Sequence, residues 1–443
     1  MATTATRPQA TGTQSWRNWA GDQACTPAAI ERPSSREELA AVVRAAAEAG
    51  RSVRVAGSGH SFTEAALTDG VMIRVDALDR VLDANPSSGL VKVEAGILLA
   101  DLNERLHELG LAMENLGDID RQTLAGAIST ATHGTGAGLR NISAQVEAME
   151  IITADGELRA LSASGARDDL LAARVGVGAL GAIYSVTLRT VPAFTLHRVD
   201  TPRPLDEVLG RFDELAERND HFEFFVFPFT ETALTIERNR SGLPERPRSA
   251  VRRWASDVVM ENTVGDIALR FTRRRPSLIP RFSAGAAKMM SQGERLDRSY
   301  RIFVNERRIR FTEMEYALPR DRGPEAVQRV LDLIHQRGIE VAMPIECRVV
   351  APDDALLSPS HERPTAYVAV HQYRGMEWRP YFEAVEAIMN EYEGRPHWGK
   401  RHFQTHETLA KRYPRWGDFA AARDRLDPDR VFRNEYTDRV LGP

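Results

Sequence analysis

The sequence predicts an α+β fold made of an N-terminal domain and a larger C-terminal domain. Up to about residue 192, short β-branched runs alternate with helical stretches. From about Phe194 the composition changes, and residues 221–229 form a strongly aromatic strand. Two later helical stretches are interleaved with strand candidates, which favours one antiparallel sheet covered by helices. We therefore expect domains at 16–192 and 193–443, with residues 396–443 returning to the first domain's site.

Composition excludes several classes of function. The chain has 443 residues, 42% of them hydrophobic and 27% charged, as in soluble globular proteins. A net charge of −4 gives no electrostatic case for nucleic acid. The two cysteines, Cys25 and Cys347, make a disulfide framework or a cysteine metal site implausible and favour a reducing compartment, so we expect a cytoplasmic protein. No apolar run is long enough for a membrane span, and residues 1–15 are expected to be a disordered lead-in without a secretory signal.

The first helix is expected directly before a glycine-rich turn. Ser34 as the N-cap, with Glu37 three residues later, forms a capping box, and Gly50 ends the helix. Residues 53–62 follow, in which a β-branched run leads into a turn. This unit is therefore predicted to be a helix followed by a strand and a turn.

The turn after this strand has the residues of an anion site. Gly57 and Gly59 allow positive φ and close approach of a ligand, while Ser58 and Ser61 add hydroxyl donors beside His60. One interpretation is a phosphate-cradling turn with a histidine at its rim. The other is an ordinary strand-ending turn with a solvated histidine, because short glycine-rich motifs give many false positives.

A second segment repeats this chemistry. Residues 124–139 carry small and hydroxyl-bearing side chains and no acidic or basic residue other than His133. Such a segment lies against a ligand or against a neighbouring backbone, and a tightly packed buried loop is an equally suitable interpretation. Two similar turns in one domain favour a binding function over chance.

Further strands and a helix complete the N-terminal domain. Strands are expected at 71–75, 91–96 and 183–188, a helix at 98–109, and a hairpin at 150–158 with Asp155 and Gly156 at its turn. The spacing Gly176, Gly178, Gly181 matches a dinucleotide-binding pattern. It precedes a strand instead of opening a helix, so we reject that interpretation.

The C-terminal domain is predicted from periodicity. Residues 310–316 alternate polar and apolar side chains, which predicts a half-buried strand. Helices are expected at 324–337 and 381–392. Further strand candidates are 340–343, 347–350 and 366–370.

One pair of charged residues could carry chemistry. Glu346 and Arg348 stand two apart on a strand-like stretch, so both side chains point to one face. They could grip a polyhydroxylated substrate, or they could be a structural ion pair. His371 and Tyr373 could continue that face, and residues 396–402 mix aromatic and basic side chains. No zinc-hydrolase motif or nucleophile elbow appears, so no metal is expected.

Taken together, the chain resembles the vanillyl-alcohol-oxidase type of flavoprotein, and within it the aldonolactone oxidoreductases and related alditol oxidases. The resemblance runs from about Trp16 to Pro443. It rests on residues 53–61, residues 115–136, the Glu346-x-Arg348 pair and residues 397–400. It implies a two-subdomain FAD-binding domain of the PCMH type beneath a substrate domain.

The resemblance also implies roles for individual residues. His60 matches the position that is covalently bonded to the flavin 8α-methyl in many members, and Gly117 matches a position where glycine leaves space for oxygen. Glu346, Arg348 and Lys400 would be catalytic, with Lys400 and Arg348 compensating the charge of the reduced flavin. The implied substrate-binding residues are Asp118, Glu346, Arg348, His371, Tyr373 and Lys400. The implied FAD-binding residues are Ala56, Gly57, Ser58, Gly59, His60, Ser61, Gly117, Asp118, Thr123, Gly126, Ser129, Thr130, His133, Gly134, Ile183, His397 and Lys400.

The activity implied is oxidation of an aldono-1,4-lactone such as L-gulono-1,4-lactone. A hydride would pass to flavin N5, and O2 would be the acceptor, giving H2O2. The alternatives are an aldonolactone dehydrogenase that uses cytochrome or dye acceptors, an alditol oxidase, and a flavin-binding protein without catalysis. Intact Glu346, Arg348 and Lys400 argue against the last of these.

Overall fold

The computed structural model describes residues 15–249, 262–305 and 307–443. Residues 1–14, where nearly all of the expected lead-in lies, are outside the described residues. Within the described ranges, no helix is both long and apolar enough to cross a membrane.

The first helix begins one residue later than expected. Helix α1 spans Arg36–Glu48, and its N-cap is Ser35, whose hydroxyl accepts from the Glu38 N–H at 3.2 Å. Glu38 reaches back to the Ser34 N–H at 2.8 Å, while Glu37 pairs with Arg36. The prediction of Ser34 as the N-cap was therefore wrong, because two adjacent serines offer two registers and the carboxylate that reaches back selects one.

Two sheets form the N-terminal half. Strands β3 (Ala29–Glu31), β5 (Val71–Arg74) and β4 (Val53–Ala56) pair in parallel in that order. A five-stranded antiparallel sheet follows, in the order β10, β9, β11, β7, β6, with bounds Leu158–Ser162, Val146–Ile152, Ala182–Arg189, Leu90–Glu94 and Val81–Asn85. The short strands β1 (Trp16–Arg17) with β2 (Ala24–Cys25), and β8 (Leu111–Ala112) with β12 (Val191–Pro192), form two small pairs. The expected strands and the 150–158 hairpin are confirmed.

An eight-stranded sheet dominates the C-terminal half. Its order is β16, β13, β15, β14, β18, β19, β17, β20, with bounds Gly293–Arg298, Thr195–Pro204, Thr232–Ser241, His221–Val226, Ile345–Val350, Thr365–Tyr373, Phe311–Pro319 and Arg395–Pro396. All the pairings are antiparallel. The predicted antiparallel sheet is confirmed. It places β18, β19 and β17, which carry the candidate residues, side by side.

The remaining α-helices of the described residues, α2 to α14, lie around these sheets. Their bounds are Leu99–Glu108, Leu124–Ser129, Arg167–Ala173, Leu205–Gly210, Phe212–Glu217, Gly265–Arg274, Ile279–Met289, Ser299–Phe303, Gly323–Arg337, Arg379–Glu391, His406–Leu409, Trp416–Leu426 and Glu435–Leu441. The helices expected at 98–109, 324–337 and 381–392 are confirmed within two residues. Gly338 ends α10 (Gly323–Arg337) in the left-handed region, at φ 60°.

Two strand interpretations were wrong. Residues 340–343 form no strand: Val341, Ala342 and Met343 are buried, but the Glu340 carbonyl accepts from the Gln372 side chain at 3.0 Å instead of joining a ladder. Periodicity alone cannot assign so short an apolar run. Strand β17 was expected to be half-buried, yet Phe311 to Leu318 are all buried. Its polar face meets the candidate site and not solvent.

The C-terminal segment packs on the N-terminal half. Trp398, Tyr413, Phe419 and Tyr436 belong to the same buried cluster as Leu102 and its neighbours from the first half. A separate cluster lies between the eight-stranded sheet and α10 and α11 (Arg379–Glu391). Residues after 396 therefore reach the region that holds the two glycine-rich turns.

Candidate active site

The first glycine-rich turn lines a cleft in the N-terminal half of the chain. The turn follows β4 directly, and its residues Gly57 to Ser61 face α3 (Leu124–Ser129) across the cleft. A Cβ on Gly57 would lie 2.1 Å from Thr123 Oγ1, so only glycine fits there. Gly59 has φ +73°, and a Cβ on it would lie 2.9 Å from the Trp16 ring. The glycines are required by close packing and backbone conformation.

Free donors make this turn suitable for an anion. Within the ranges that the structure describes, the backbone N–H groups of Ser58, Gly59, His60 and Ser61 have no hydrogen-bond partner. The N-terminus of α3 also lines the cleft, but its first N–H groups are already paired: those of Leu124 and Ala125 donate to the carbonyls of Ile97 and Ala95, and that of Gly126 donates to Thr123 Oγ1 at 3.3 Å. Unpaired N–H groups on a glycine-rich turn fit the pyrophosphate of FAD. The residues present therefore fit the expected cofactor.

Arg54 fixes the position of this turn. Its guanidinium donates to four carbonyl oxygens, those of Ala65, Val177, Gly178 and Phe432, at 2.7–2.9 Å. Only 2% of the residue is exposed. Burial lowers the pKa of Arg54 to about 10, which still leaves it charged at neutral pH. One side chain thus ties β4 to the 177–178 turn and to the C-terminal segment.

The second glycine-rich segment is also held by close packing. A Cβ on Gly134 would lie 2.3 Å from both Asn115 Oδ1 and the Leu116 carbonyl oxygen. The Gly136 N–H donates to the Val349 carbonyl of β18 at 2.7 Å. The segment therefore lies against neighbouring backbone, as one interpretation held, and it also presents Thr130, Thr132 and His133 to a second cavity.

The two cavities meet at His60. Both are lined by His60, Ser61, Gln122 and Thr130. The imidazole of His60 stacks on Trp19, with ring centroids 5.4 Å apart. Burial, with the nearby charges of Arg310 and Lys400, lowers the pKa of His60 to about 4. At neutral pH the ring is therefore uncharged and keeps a nitrogen lone pair.

Arg348 is the centre of a buried charge cluster at the second cavity. Its Nε lies 2.6 Å from Glu346 Oε1 and 3.3 Å from Glu223 Oε2, and its Nη2 lies 3.6 Å from Asp118 Oδ1. Arg307 donates to the other Asp118 oxygen. Although burial opposes the charge on Asp118, Arg307 and Arg348 hold the pKa of that carboxyl well below its usual range.

Glu346 differs from the other carboxylates of the cluster. Burial, reinforced by the nearby Asp118 and Glu223 charges, raises the pKa of Glu346 to about 7 in spite of Arg348. Its carboxyl group is 2% exposed. Of the three carboxylates around Arg348, Glu346 is therefore the one whose negative charge its surroundings stabilise least.

Lys400 enters the same cavity from the C-terminal segment. Its ammonium group pairs with the buried Glu313 of β17. Burial disfavours the Glu313 carboxylate, but Lys400 and His371 outweigh it and lower the pKa of Glu313 to about 2. A fixed positive charge therefore lies at the cavity wall.

A buried histidine–carboxylate contact also lies at the second cavity. His133 Nε2 is 3.3 Å from Glu315 Oε1, and the His133 ring stacks on Tyr367. His133, Glu315 and His397 each offer one buried atom that could bind a metal ion, and these three atoms lie within 4.8 Å of one another. The prediction of no metal rested on linear motifs alone. His133, Glu315 and His397 are far apart in the sequence, so they form no linear motif that could have been recognised.

Most of the expected site residues come together. Those lining the two cavities are Gly57, Ser58, Gly59, His60, Ser61, Gly117, Asp118, Thr123, Gly126, Ser129, Thr130, His133, Ile183, Arg348, His397 and Lys400. Glu346 and His371 lie behind the wall, in contact with residues that line it or with each other. Ala56, Gly134 and Tyr373 line neither cavity. The hydroxyl of Tyr373 donates to Asp266 at 2.7 Å.

Sequence reasoning missed several charged residues of the site. Arg307 belongs to a loop, and nothing local marks it. Glu313 and Glu315 share one face of β17 and are buried with Glu223 of β14. Two carboxylates at alternate positions of an otherwise apolar strand were the available signal, but the same pattern suits a solvent-facing strand.

Comparisons with known proteins agree with this geometry. Residues 186–440 match the family described as D-arabinono-1,4-lactone oxidase, and residues 27–162 match the FAD binding domain family. The chain is 52% identical to L-gulono-1,4-lactone dehydrogenase of Mycobacterium tuberculosis, over 97% of this chain and 99% of the relative. It is 34% identical to L-gulonolactone oxidase of Bos taurus (96% and 98% covered) and 31% identical to alditol oxidase of a Streptomyces species (96% and 98%).

Solved structures show the same fold. Cholesterol oxidase from Brevibacterium sterolicum, as a His121Ala mutant, superposes with a TM-score of 0.79 at 17% sequence identity, covering 97% of each chain. At this identity the likeness concerns the fold alone.

Proposed function

The chain belongs to the D-arabinono-1,4-lactone oxidase family of FAD-dependent oxidoreductases, and we propose that it oxidises an aldono-1,4-lactone such as L-gulono-1,4-lactone. The observation that carries the proposal is the convergence of Asp118, Arg348 and Lys400 on a cavity that meets the FAD cleft at His60. The names of the relatives support the same substrate class.

Different residues of the chain bind the cofactor, bind the substrate and stabilise the charge that develops in the reaction. The turn at residues 57–61 would hold the cofactor's phosphates with its unpaired N–H donors. When bound, FAD would supply the acceptor for a hydride, one proton with the two electrons of a carbinol C–H bond. Asp118 and Arg348 bind substrate hydroxyls, Glu346 orients Arg348 from behind the cavity wall, and Lys400 places positive charge where negative charge develops.

The substrate is tested by anaerobic mixing of the purified yellow protein with L-gulono-1,4-lactone, L-galactono-1,4-lactone and xylitol. The proposal expects a lactone to bleach the flavin faster than xylitol does. Faster bleaching by xylitol would instead support an alditol oxidase, as the name of the Streptomyces relative suggests. No bleaching by any of the three would contradict both and favour a flavin-binding protein without catalysis.

The electron acceptor has two candidates, each supported by one observation. Gly117, at the second cavity, carries no methyl group that would restrict O2, which supports an oxidase that releases H2O2. The 52% identical relative is named a dehydrogenase, which supports a cytochrome or dye acceptor. Admitting air after anaerobic reduction separates them: return of the yellow colour within seconds identifies an oxidase, and persistence of the bleached form identifies a dehydrogenase.

We also propose that His60 is the residue of flavin attachment. Its uncharged imidazole lies where the two cavities meet, and the described residues offer its ring nitrogens no hydrogen-bond partner. After denaturation and precipitation, yellow colour is expected to stay with the polypeptide. A His60→Ala variant would release its flavin, and equal release from the wild-type protein would contradict the bond.

The domain limits of 16–192 and 193–443 and a cytoplasmic location are proposed as well. The change of sheet between β12 and β13 supports the limits, and the low cysteine content supports a reducing compartment. Limited proteolysis near residue 192 and cell fractionation test the two points.

A further inference from the structure

Two neighbouring helices of the C-terminal half expose apolar side chains. Helix α7 spans Gly265–Arg274 and helix α8 spans Ile279–Met289. The residues that the structure describes include six exposed large hydrophobic side chains, and four of them, 44–71% exposed, lie on or beside these helices: Val264, Ile267, Phe271 and Met289. Single exposed apolar residues need no explanation, but a group of four on one short segment marks a surface that binds something.

The exposed apolar residues of α7 form a stripe. Val264, Ile267 and Phe271 stand three and four positions apart, so they follow one another along one side of a helix. Leu269 lies on the other side and is buried. Helix α7 is therefore apolar on two sides, and its contacts with the rest of the protein use only one of them. We call Val264, Ile267 and Phe271 the exposed stripe.

The same segment is strongly basic. Residues 262–292 contain six basic side chains and one acidic side chain, although the net charge of the whole chain is −4. The acidic residue, Asp266, already pairs with Arg270 at 2.7 Å. Four further basic side chains are exposed and form no ion pair with a described residue: Arg274, Arg275, Arg281 and Lys288. Their positive charges can therefore meet an external anionic partner.

Buried contacts hold α7 so that the exposed stripe faces outward. Leu269 belongs to the same buried cluster as Phe62, and Trp19 packs against that cluster. Phe62 and Trp19 line the second cavity. The Tyr373 hydroxyl also donates to Asp266 on α7 at 2.7 Å. The helix is thus attached to the outer side of the wall of the candidate active site.

We propose that α7 and α8 dock the protein on the surface of an anionic phospholipid bilayer. The exposed stripe enters the headgroup region, and the unpaired basic side chains contact the lipid phosphates. A helix with protruding apolar residues and neighbouring arginines binds at a membrane interface through these two contributions. The inference concerns a surface and not the reacting groups, so it does not depend on the proposed lactone oxidation.

The charges favour a lipid surface over a second copy of the chain. In a two-fold dimer the same surface patch of each copy meets the other, so the unpaired basic side chains would face one another. An anionic bilayer instead offers phosphates to the basic side chains and acyl chains to the exposed stripe. It therefore matches both the charge and the apolar character of this segment.

Vesicle flotation of the full-length, FAD-bound protein tests the proposal. Vesicles of phosphatidylcholine are compared with vesicles of an equal mixture of phosphatidylcholine and phosphatidylglycerol. We expect the mixed vesicles to bind the protein about tenfold or more tightly than phosphatidylcholine does, because several basic side chains approach the anionic surface. Raising the ionic strength from about 0.1 M to about 0.5 M should weaken this binding, since salt screens exposed charges.

Two double variants separate the apolar and the charged contributions. Ile267→Ser with Phe271→Ser removes most of the exposed stripe and should weaken binding to the mixed vesicles about tenfold or more. Arg274→Glu with Arg275→Glu should weaken it by a similar factor. Leu82→Ser and Arg51→Glu, at exposed positions outside the two helices, are the matched controls and should bind like the wild type. The visible absorbance of bound flavin shows that each variant is folded.

The outcomes decide the inference separately from the proposed function. Equal affinity of the wild type for the two kinds of vesicle, or undiminished binding in either double variant, would overturn the proposal. A dimer in solution that Ile267→Ser with Phe271→Ser dissociates, without binding to vesicles, would also overturn it and assign the exposed stripe to a second copy. Bleaching of the wild-type flavin by a lactone, measured without vesicles, decides the proposed function whichever result flotation gives.

Discussion

At the scale of single residues, the site is a set of buried charges that neutralise one another. Burial opposes the charge of Arg348, but Glu346, Asp118 and Glu223 together hold its pKa well above the usual range. Such a cation stays charged at every working pH. It can therefore bind a substrate hydroxyl or carbonyl without titrating.

Replacing Arg348 with Ala should collapse turnover while FAD stays bound. The guanidinium lines the second cavity and not the cleft of the glycine-rich turn, so cofactor contacts persist. Loss of one preorganised charge lowers kcat by about 10²- to 10³-fold. Three carboxyl groups lose their partner, so the free energy of unfolding should also fall by about 3–5 kcal/mol.

Stopped-flow flavin reduction and the visible absorbance of purified protein check these two effects separately. Arg51→Ala, at an exposed position, is the control for loss of an arginine. Near-normal reduction by the lactone in Arg348→Ala would remove this residue from the site.

At the scale of elements, strand β17 shows how one strand serves two purposes. Met314 and Tyr316 face the core between sheet and helices. Glu313 and Glu315, on the opposite face, contact Lys400 and His133 at the site. The period of two is that of a half-exposed strand, but here the polar face meets other buried residues of the site.

The turn after β4 makes a steric prediction. Gly57→Ala should weaken FAD binding about tenfold or more, because the added methyl group overlaps Thr123 Oγ1 at the mouth of α3. The ratio of flavin to protein absorbance after purification measures the loss. Gly138→Ala is the control, since a Cβ there meets nothing within 4 Å. Full flavin content in Gly57→Ala would show that the turn can move away from α3.

His221, at the start of strand β14, leads to a prediction about how stability depends on pH. His221 is buried and bonded through Nδ1 to the Thr135 carbonyl at 2.8 Å. Burial, with the Arg238 charge, lowers its pKa to about 4. Between about pH 6.5 and 4 the unfolded chain binds a proton here that the folded chain does not, so stability falls as pH falls through this range.

His221→Asn should remove one proton from this dependence. The slope of the unfolding free energy against pH should decrease by up to about 1.4 kcal/mol per unit between pH 6 and 4.5. Urea unfolding at several pH values measures it, with His335→Asn as the control. An unchanged slope would mean that His221 is charged in the folded protein.

At the scale of the whole molecule, the C-terminal segment completes the N-terminal half. The Val53 N–H donates to the Val431 carbonyl at 2.8 Å, beside the bond from Arg54 to the Phe432 carbonyl. Trp398 is fully buried, and its indole N–H donates to the Leu357 carbonyl at 2.7 Å. Lys400 itself contacts both halves of the chain, since its ammonium group pairs with Glu313 and lies 5.4 Å from the centroid of the Phe62 ring.

Arg54→Met should test how far the whole molecule depends on this connection. The variant leaves four buried carbonyl oxygens without their donor, which should cost about 2–4 kcal/mol of unfolding free energy and lower the FAD content. Urea unfolding and flavin absorbance measure both. Arg51→Met, three residues before it in sequence but exposed, should change neither. Equal stability of the two variants would show that water replaces the lost donors.

The sequence by itself determined the local features of this protein. Helix stripes, the Asp155-Gly156 hairpin and the two glycine-rich turns follow from residues close together in the chain, because capping, periodicity and positive φ are local properties. The α+β class and the family resemblance could also be predicted, since both follow from the order of these local motifs along the chain. The errors, Ser34 as the N-cap and residues 340–343 as a strand, lie where two local choices have nearly equal energy.

Only the tertiary structure decided which charges meet. Asp118, Glu313, Arg348 and Lys400 come from four separate segments, and no spacing along the chain connects them. The same holds for the burial of both faces of β17. The physical reason is that burial and Coulomb attraction depend on distance in space. The pKa of each group is therefore set by residues that are distant in the sequence but close in the fold.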